Sequence, residues 1–247
     1  EYHVGTALYD RETYYFRVAI IDQNGVQGAW AQDSIYITIG YAEAISPTGV
    51  ITDTRPTLAW TEAELAGARY RVSIARDSQF TEIVYTSDPL DSLTHRPEIT
   101  FDNLTEYHFR VAVVDQNDIE STMFFARRFS IDIGSVKPKT QVIFQDNLDL
   151  AWSASPLPAV TYHVQIAPQP DFLDVVEEMS ACPVPSYTVQ SLVDDQIYYY
   201  RVAVVDQNGV RGIWSTAQEF TYRGERPRHV HSGPRFEDIP TRLAPAG

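Results

Sequence analysis

Residues 107–118 read YHFRVAVVDQND. Tyr107, Phe109, Val111 and Val113 alternate with His108, Arg110, Ala112 and Val114. A period of two sends the first set into a core and the second to the outer face of a sheet. Near-copies start at Tyr14 (YYFRVAIIDQNG) and at Tyr198 (YYYRVAVVDQNG). The equivalent arginines Arg17, Arg110 and Arg201 stand 93 and 91 residues apart. Two other pairs keep the step: Trp60 of PTLAW and Trp152 of LDLAW, and Tyr70 and Tyr162, each 92 apart. A repeat of this length is too long for a solenoid unit and suits a small β-sandwich.

Working outward, Leu58 and Trp60 read as one strand and Tyr70, Val72 and Ile74 as another. Asn24-Gly25 and Asn208-Gly209 follow the quoted strand, and Asn-Gly tolerates the positive φ of a tight hairpin turn. The returning strand carries Ile35, Ile37 and Ile39 in the first copy and Phe129, Ile131 and Ile133 in the second.

The rest of the composition agrees with an all-β chain. Short Val/Ile/Tyr/Phe/Thr runs are broken by Pro, Gly, Asn and Asp. Acids outnumber bases 33 to 19 in 247 residues, giving a formal charge of −14. That balance argues against nucleic-acid binding and against docking on anionic lipid, both of which need clustered Lys and Arg. No apolar run approaches the ~20 residues of a membrane-spanning helix. Cys182 is the single cysteine, so no intrachain disulfide can form, and it reads as a small buried apolar group.

LAW, then YRVSI, then LTEYHFRVAVVDQN resembles the fibronectin type III family. The resemblance implies tandem seven-strand sandwiches whose cores are anchored by a Trp on the second strand and a Tyr on the third. It also implies a tyrosine corner, matched here by Leu8 and Tyr14, Leu104 and Tyr107, and Leu192 and Tyr198. The Leu-to-Tyr gap is three residues in the middle copy and six in the others, so the corners are expected to differ. More narrowly, DQNGVRGIWS and ARDSQFTEIVYTS are similar to repeats that follow FecR domains, sometimes with LysM modules, in bacterial envelope proteins. That likeness implies an extracytoplasmic setting, in the periplasm or at the cell surface.

The expected division is a truncated sandwich with its last three strands in 1–40, whole sandwiches in 41–133 and 134–222, and an extended Arg- and Pro-containing tail in 223–247. The first piece has an inward set of Tyr14, Phe16, Val18, Ile20, Ile35, Ile37 and Ile39. Exposing even four such side chains costs roughly 6–12 kcal/mol, about the net stability of a domain. Its face is therefore expected to be covered, by four missing strands or by strands lent from another chain. The tail carries +2 beside −16 for the rest. It is expected to lie on an acidic neighbour through Arg226, Arg228 and Arg235, with Phe236, Ile239 and Leu243 as anchors.

No G-x-S-x-G, P-loop or H-E-x-x-H motif is present, and no catalytic residue, enzyme activity or cofactor is expected. Asp115, Asn117 and Asp118 place oxygen donors at calcium-like spacing, but a turn capped by Asp explains them as well. His229 and His231 lack further metal ligands, and His108 and His163 read as surface histidines. The outward row of Tyr15, Arg17 and Trp30, of His108 and Arg110, and of Tyr199, Arg201 and Trp214 is the candidate binding face. Such rows stack on sugars, contact proteins, or simply lay Arg over Tyr as cover. The leading expectation is a non-catalytic, rod-like spacer and assembly segment of a larger protein, contacting other subunits or upstream domains. The alternative is a carbohydrate- or peptidoglycan-binding accessory segment that meets cell-wall glycan.

Overall fold

The computed structural model describes residues 2–122, 124–139, 148–190 and 192–222, with no helix among them. β1 (Thr13–Val18) and β2 (Ala31–Tyr36) form an antiparallel hairpin with Arg17 opposite Gln32. Of the three strands expected in 1–40, these two are present, and residues 2–12 run irregularly.

The second unit holds β3 (Ala44–Ser46), β4 (Gly49–Ile51), β5 (Leu58–Trp60), β6 (Arg69–Ala75), β7 (Ile83–Thr86), β8 (Thr94–His95), β9 (Glu106–Val114) and β10 (Arg127–Ile131). One sheet runs β3-β5-β8 and the other β4-β10-β9-β6-β7. The third unit holds β11 (Asp149–Ala151), β12 (Thr161–Ala167), β13 (Glu177–Cys182), β14 (Ser186–Thr188), β15 (Gln196–Val205) and β16 (Gln218–Tyr222). Its sheets run β11-β14 and β13-β12-β15-β16, in the same order as their counterparts. The second and third units are thus fibronectin type III-like sandwiches in tandem, preceded by the β1-β2 hairpin.

Alternation builds both cores. Tyr107, Phe109, Val111 and Val113 are buried in the second unit, and Tyr198, Tyr200, Val202 and Val204 in the third. Trp60 and Trp152 have like surroundings: their rings lie 5.8 and 5.5 Å from Tyr70 and Tyr162. The Tyr70 and Tyr162 hydroxyls accept from the Ala63 and Ser155 N–H, both at 3.0 Å. Cys182 is buried and its Sγ donates to the Val184 and Ser186 carbonyls.

The tyrosine corners prove alike rather than different. The hydroxyls of Tyr14, Tyr107 and Tyr198 accept from the N–H five residues earlier, on Tyr9, Asp102 and Val193, at 2.8, 3.0 and 3.1 Å. Arg11, Leu104 and Asp195 sit three residues before each Tyr with φ near +57°. The residue matching Leu8 and Leu192 is therefore Phe101, which is buried, and Leu104 is exposed.

The described residues leave most of the hairpin's inward set uncovered. Phe16, Val18, Ile20 and Ile35 are exposed, by 54, 64, 81 and 48%. Ile39 alone is buried, in the core of the second unit.

Candidate functional site

Two kinds of site emerge from the repeat: the junctions between units and the arginine stacks on the outer sheet faces. The arginine stacks and the second junction are built on the DQN phrase and its strand.

Each phrase folds as a turn capped by its Asp. Asp22, Asp115 and Asp206 accept through Oδ1 from the N–H two and four residues on, at 2.8–2.9 Å. Gly25 and Gly209 take positive φ there, and Asp118 does the same in the middle copy. The backbone thus uses the oxygens that a cation would need. Asp118 is paired at 2.6 Å with Arg69, and Asn117 Nδ2 donates to Asp115. Among the described residues no three acidic, His or Cys groups gather at metal-binding distance.

The third turn also locks a junction. The buried Thr54 hydroxyl donates to Asp206 Oδ2 at 2.5 Å and accepts from Asn208 Nδ2 at 2.9 Å. Leu157 and Val210 of the third unit pack against the second core. Gly212 comes so close that a Cβ there would meet the Gly134 carbonyl oxygen at 2.9 Å. At the first junction Asp10 is buried and accepts from the Ile39 N–H, the Thr122 N–H and the Thr122 hydroxyl at 2.8, 2.8 and 3.0 Å. Burial pushes the Asp10 carboxyl up, but these donors, with Arg11 nearby, outweigh it and hold its pKa below the ordinary value.

On the outer faces the arginines lie over aromatics from loops, not over the tyrosines beside them. Arg110 is held between Phe80 and Phe124, at 4.2 and 4.5 Å. Arg201 lies between Phe172 and Trp214, at 4.3 and 4.4 Å, and Arg211 also approaches the Trp214 ring at 4.7 Å. Arg201 further donates through Nε and Nη2 to Gln165 Oε1. Burial and the neighbouring Arg211 lower its pKa. Among the described residues, Arg17 has one ring, Trp30 at 4.4 Å.

The remaining candidates are drawn into local pairs. Tyr199 donates to Glu219, which raises its pKa, and Tyr15 stays exposed. His108 and His163 are not open surface groups: their side chains are 16 and 15% exposed and pair with Glu106 and Glu178. Gln165 and then His163 hold the Glu178 carboxyl below its ordinary pKa. Trp214 also packs on His163 at 4.8 Å. Sequence reasoning missed Phe80, Phe172 and Phe124. The signal was available, since Phe80 and Phe172 stand 92 apart in the same repeat frame. Arg226, Arg228, Arg235, Phe236, Ile239 and Leu243 lie outside the described residues.

No family model matches the chain, and no curated protein does. Among solved structures it is similar to the FN1–FN3 domains of chicken CNTN1, at 14% identity and TM-score 0.30, covering 87% of this chain and 77% of that one. It is also similar to a two-domain fibronectin type III segment of chicken tenascin, at 15% identity and TM-score 0.33, covering 73% and 97%. Likeness of this strength carries nothing about activity or partners.

Proposed function

We propose that this chain is a non-catalytic spacer and assembly segment of a larger bacterial cell-envelope or surface protein, working outside the cytoplasm. The observation that carries the spacer reading is the Thr54–Asp206–Asn208 junction. Linked domains ordinarily move against one another unless their interface holds them. Here a short link, a buried polar lock and the apolar contacts of Leu157 and Val210 resist bending. A buried network of this kind is costly to leave half-satisfied, so it favours one orientation. The envelope setting rests on the repeat's resemblance to sandwiches beside FecR and LysM modules. The outer faces and the basic tail are the surfaces proposed to meet other subunits or upstream domains.

Small-angle scattering on the full chain tests the spacer. The parent is expected to show one narrow distribution of maximum dimensions. Thr54→Val, which leaves Asp206 and Asn208 without their shared hydroxyl, is expected to broaden it. A parent that already samples many inter-unit angles would end the reading.

A further inference from the structure

The first and third DQN turns run into Gly, as Asn24-Gly25 and Asn208-Gly209. Asn-Gly is the pair in which Asn most readily loses its side-chain amide, since no Cβ screens the glycine nitrogen. That nitrogen bonds to the Asn Cγ as the Cγ–Nδ2 bond breaks, and its proton leaves with the amide as ammonia. Water then opens the cyclic imide at either carbonyl, leaving Asp or isoaspartate. In the third turn both reacting groups are tied down. The Gly209 N–H donates to the Asp206 carbonyl at 3.0 Å. Asn208 Nδ2 donates to the Thr54 hydroxyl oxygen at 2.9 Å and to Asp206 Oδ2 at 3.4 Å. Asn24 makes the same turn in the open, with the Gly25 N–H on the Asp22 carbonyl at 3.0 Å. What distinguishes Asn208 is the grip of Thr54, which the second unit contributes.

We propose that Asn208 is a deamidation site guarded by the junction. The closed seam protects it, and opening exposes it to a reaction that prevents reclosure. The chemistry of the lock sets this consequence. The single Thr54 hydroxyl proton already goes to Asp206 Oδ2. A carboxylate at position 208 puts a second negative charge beside Asp206 where the Nδ2 donor stood, with no proton left to satisfy it. Isoaspartate would in addition lengthen the backbone of the turn by one carbon. Either product releases the third unit from the second, so the modification converts a fixed joint into a loose one. The inference rests on the spacer reading in one respect, that this junction holds the two units at one angle.

The test incubates the full chain at mildly alkaline pH and follows conversion of Asn24 and Asn208 by peptide mapping with mass spectrometry. Asn24 is the internal reference. Asn208 in the parent is expected to convert roughly tenfold or more slowly than Asn24, the factor that breaking its two hydrogen bonds sets. Thr54→Val removes a partner, and Gly212→Ala wedges the seam while leaving Thr54 in place. Each should bring Asn208 close to the Asn24 rate and leave Asn24 unchanged. Asn208→Asp, one of the two products, should broaden the scattering distribution as Thr54→Val does. Equal rates at Asn24 and Asn208 in the parent overturn the proposal. So does an Asn208 rate that neither variant raises, or an Asn208→Asp chain as narrow in scattering as the parent. A parent that scatters broadly ends the spacer reading and this inference together, whereas a narrow parent with an unguarded Asn208 ends this inference alone.

Discussion

Asp10 accepts three hydrogen bonds, two of which, from Thr122, join the first unit to the second. Its folded pKa lies below the ordinary 3.8, so its contribution is complete above that value and is lost as pH falls through the folded pKa. The Thr122 amide resonance should therefore move toward its unbonded position only below about pH 4. Asp10→Asn turns one acceptor into a donor facing the Thr122 N–H and should cost about 1–3 kcal/mol at neutral pH. Its amide shift should then be flat across the acid range. A second prediction separates two hydrophobic residues near the corner. Phe101 is buried against Tyr107 and Phe129, so Phe101→Ala should cost about 3–5 kcal/mol in urea unfolding of the second unit. Leu104→Ala should change stability by under about 0.5 kcal/mol. Reading Leu104 as the corner residue was natural, because it is the Leu nearest before Tyr107, although the other copies carry their Leu six residues before the Tyr. Phe101 fills the same place with a different side chain, and only the backbone path through Leu104 at φ 56° reveals the equivalence.

At the scale of strands and turns, alternation placed the inward sets of β9 and β15, which are buried, but Ala112 and Val114, expected on the outer face, are buried as well. The Asp-capped turns were legible too, because Asp, Asn and Gly at fixed offsets act through their own backbone. The arginine stacks were not. Phe80 and Phe172 reach the arginines from loops in which each takes a positive φ, and no local pattern announces that reach. Tyr15 and Tyr199, two residues before Arg17 and Arg201, share their outer face and looked like the cover, yet the rings that lie over the arginines come from loops. Arg201→Lys would lose the planar stack on both rings and the paired N–H donation to Gln165. The expected cost is about 1–2 kcal/mol, seen as lower urea resistance of the third unit. Arg17→Lys, with one ring on an open hairpin, should barely register in the same measurement.

For the whole molecule, the repeat length was readable from spacing alone. How the units meet was not, since Thr54 and Asp206 are 152 residues apart and neither is unusual by itself. Asp206 looked like a turn cap and is one, but its second oxygen serves the junction. Gly212 shows how narrow that seam is. The glycine is there because the Gly134 carbonyl, Ile133 and the Val204 carbonyl leave no room for a methyl group. Its counterpart Gly28 faces one atom at 3.5 Å and should accept Ala freely. Gly212→Ala is expected to act as a wedge, tilting the third unit and giving the whole chain a different curvature in solution scattering while each sandwich melts as before. One carbon atom at that seam would set the shape of everything hung beyond it.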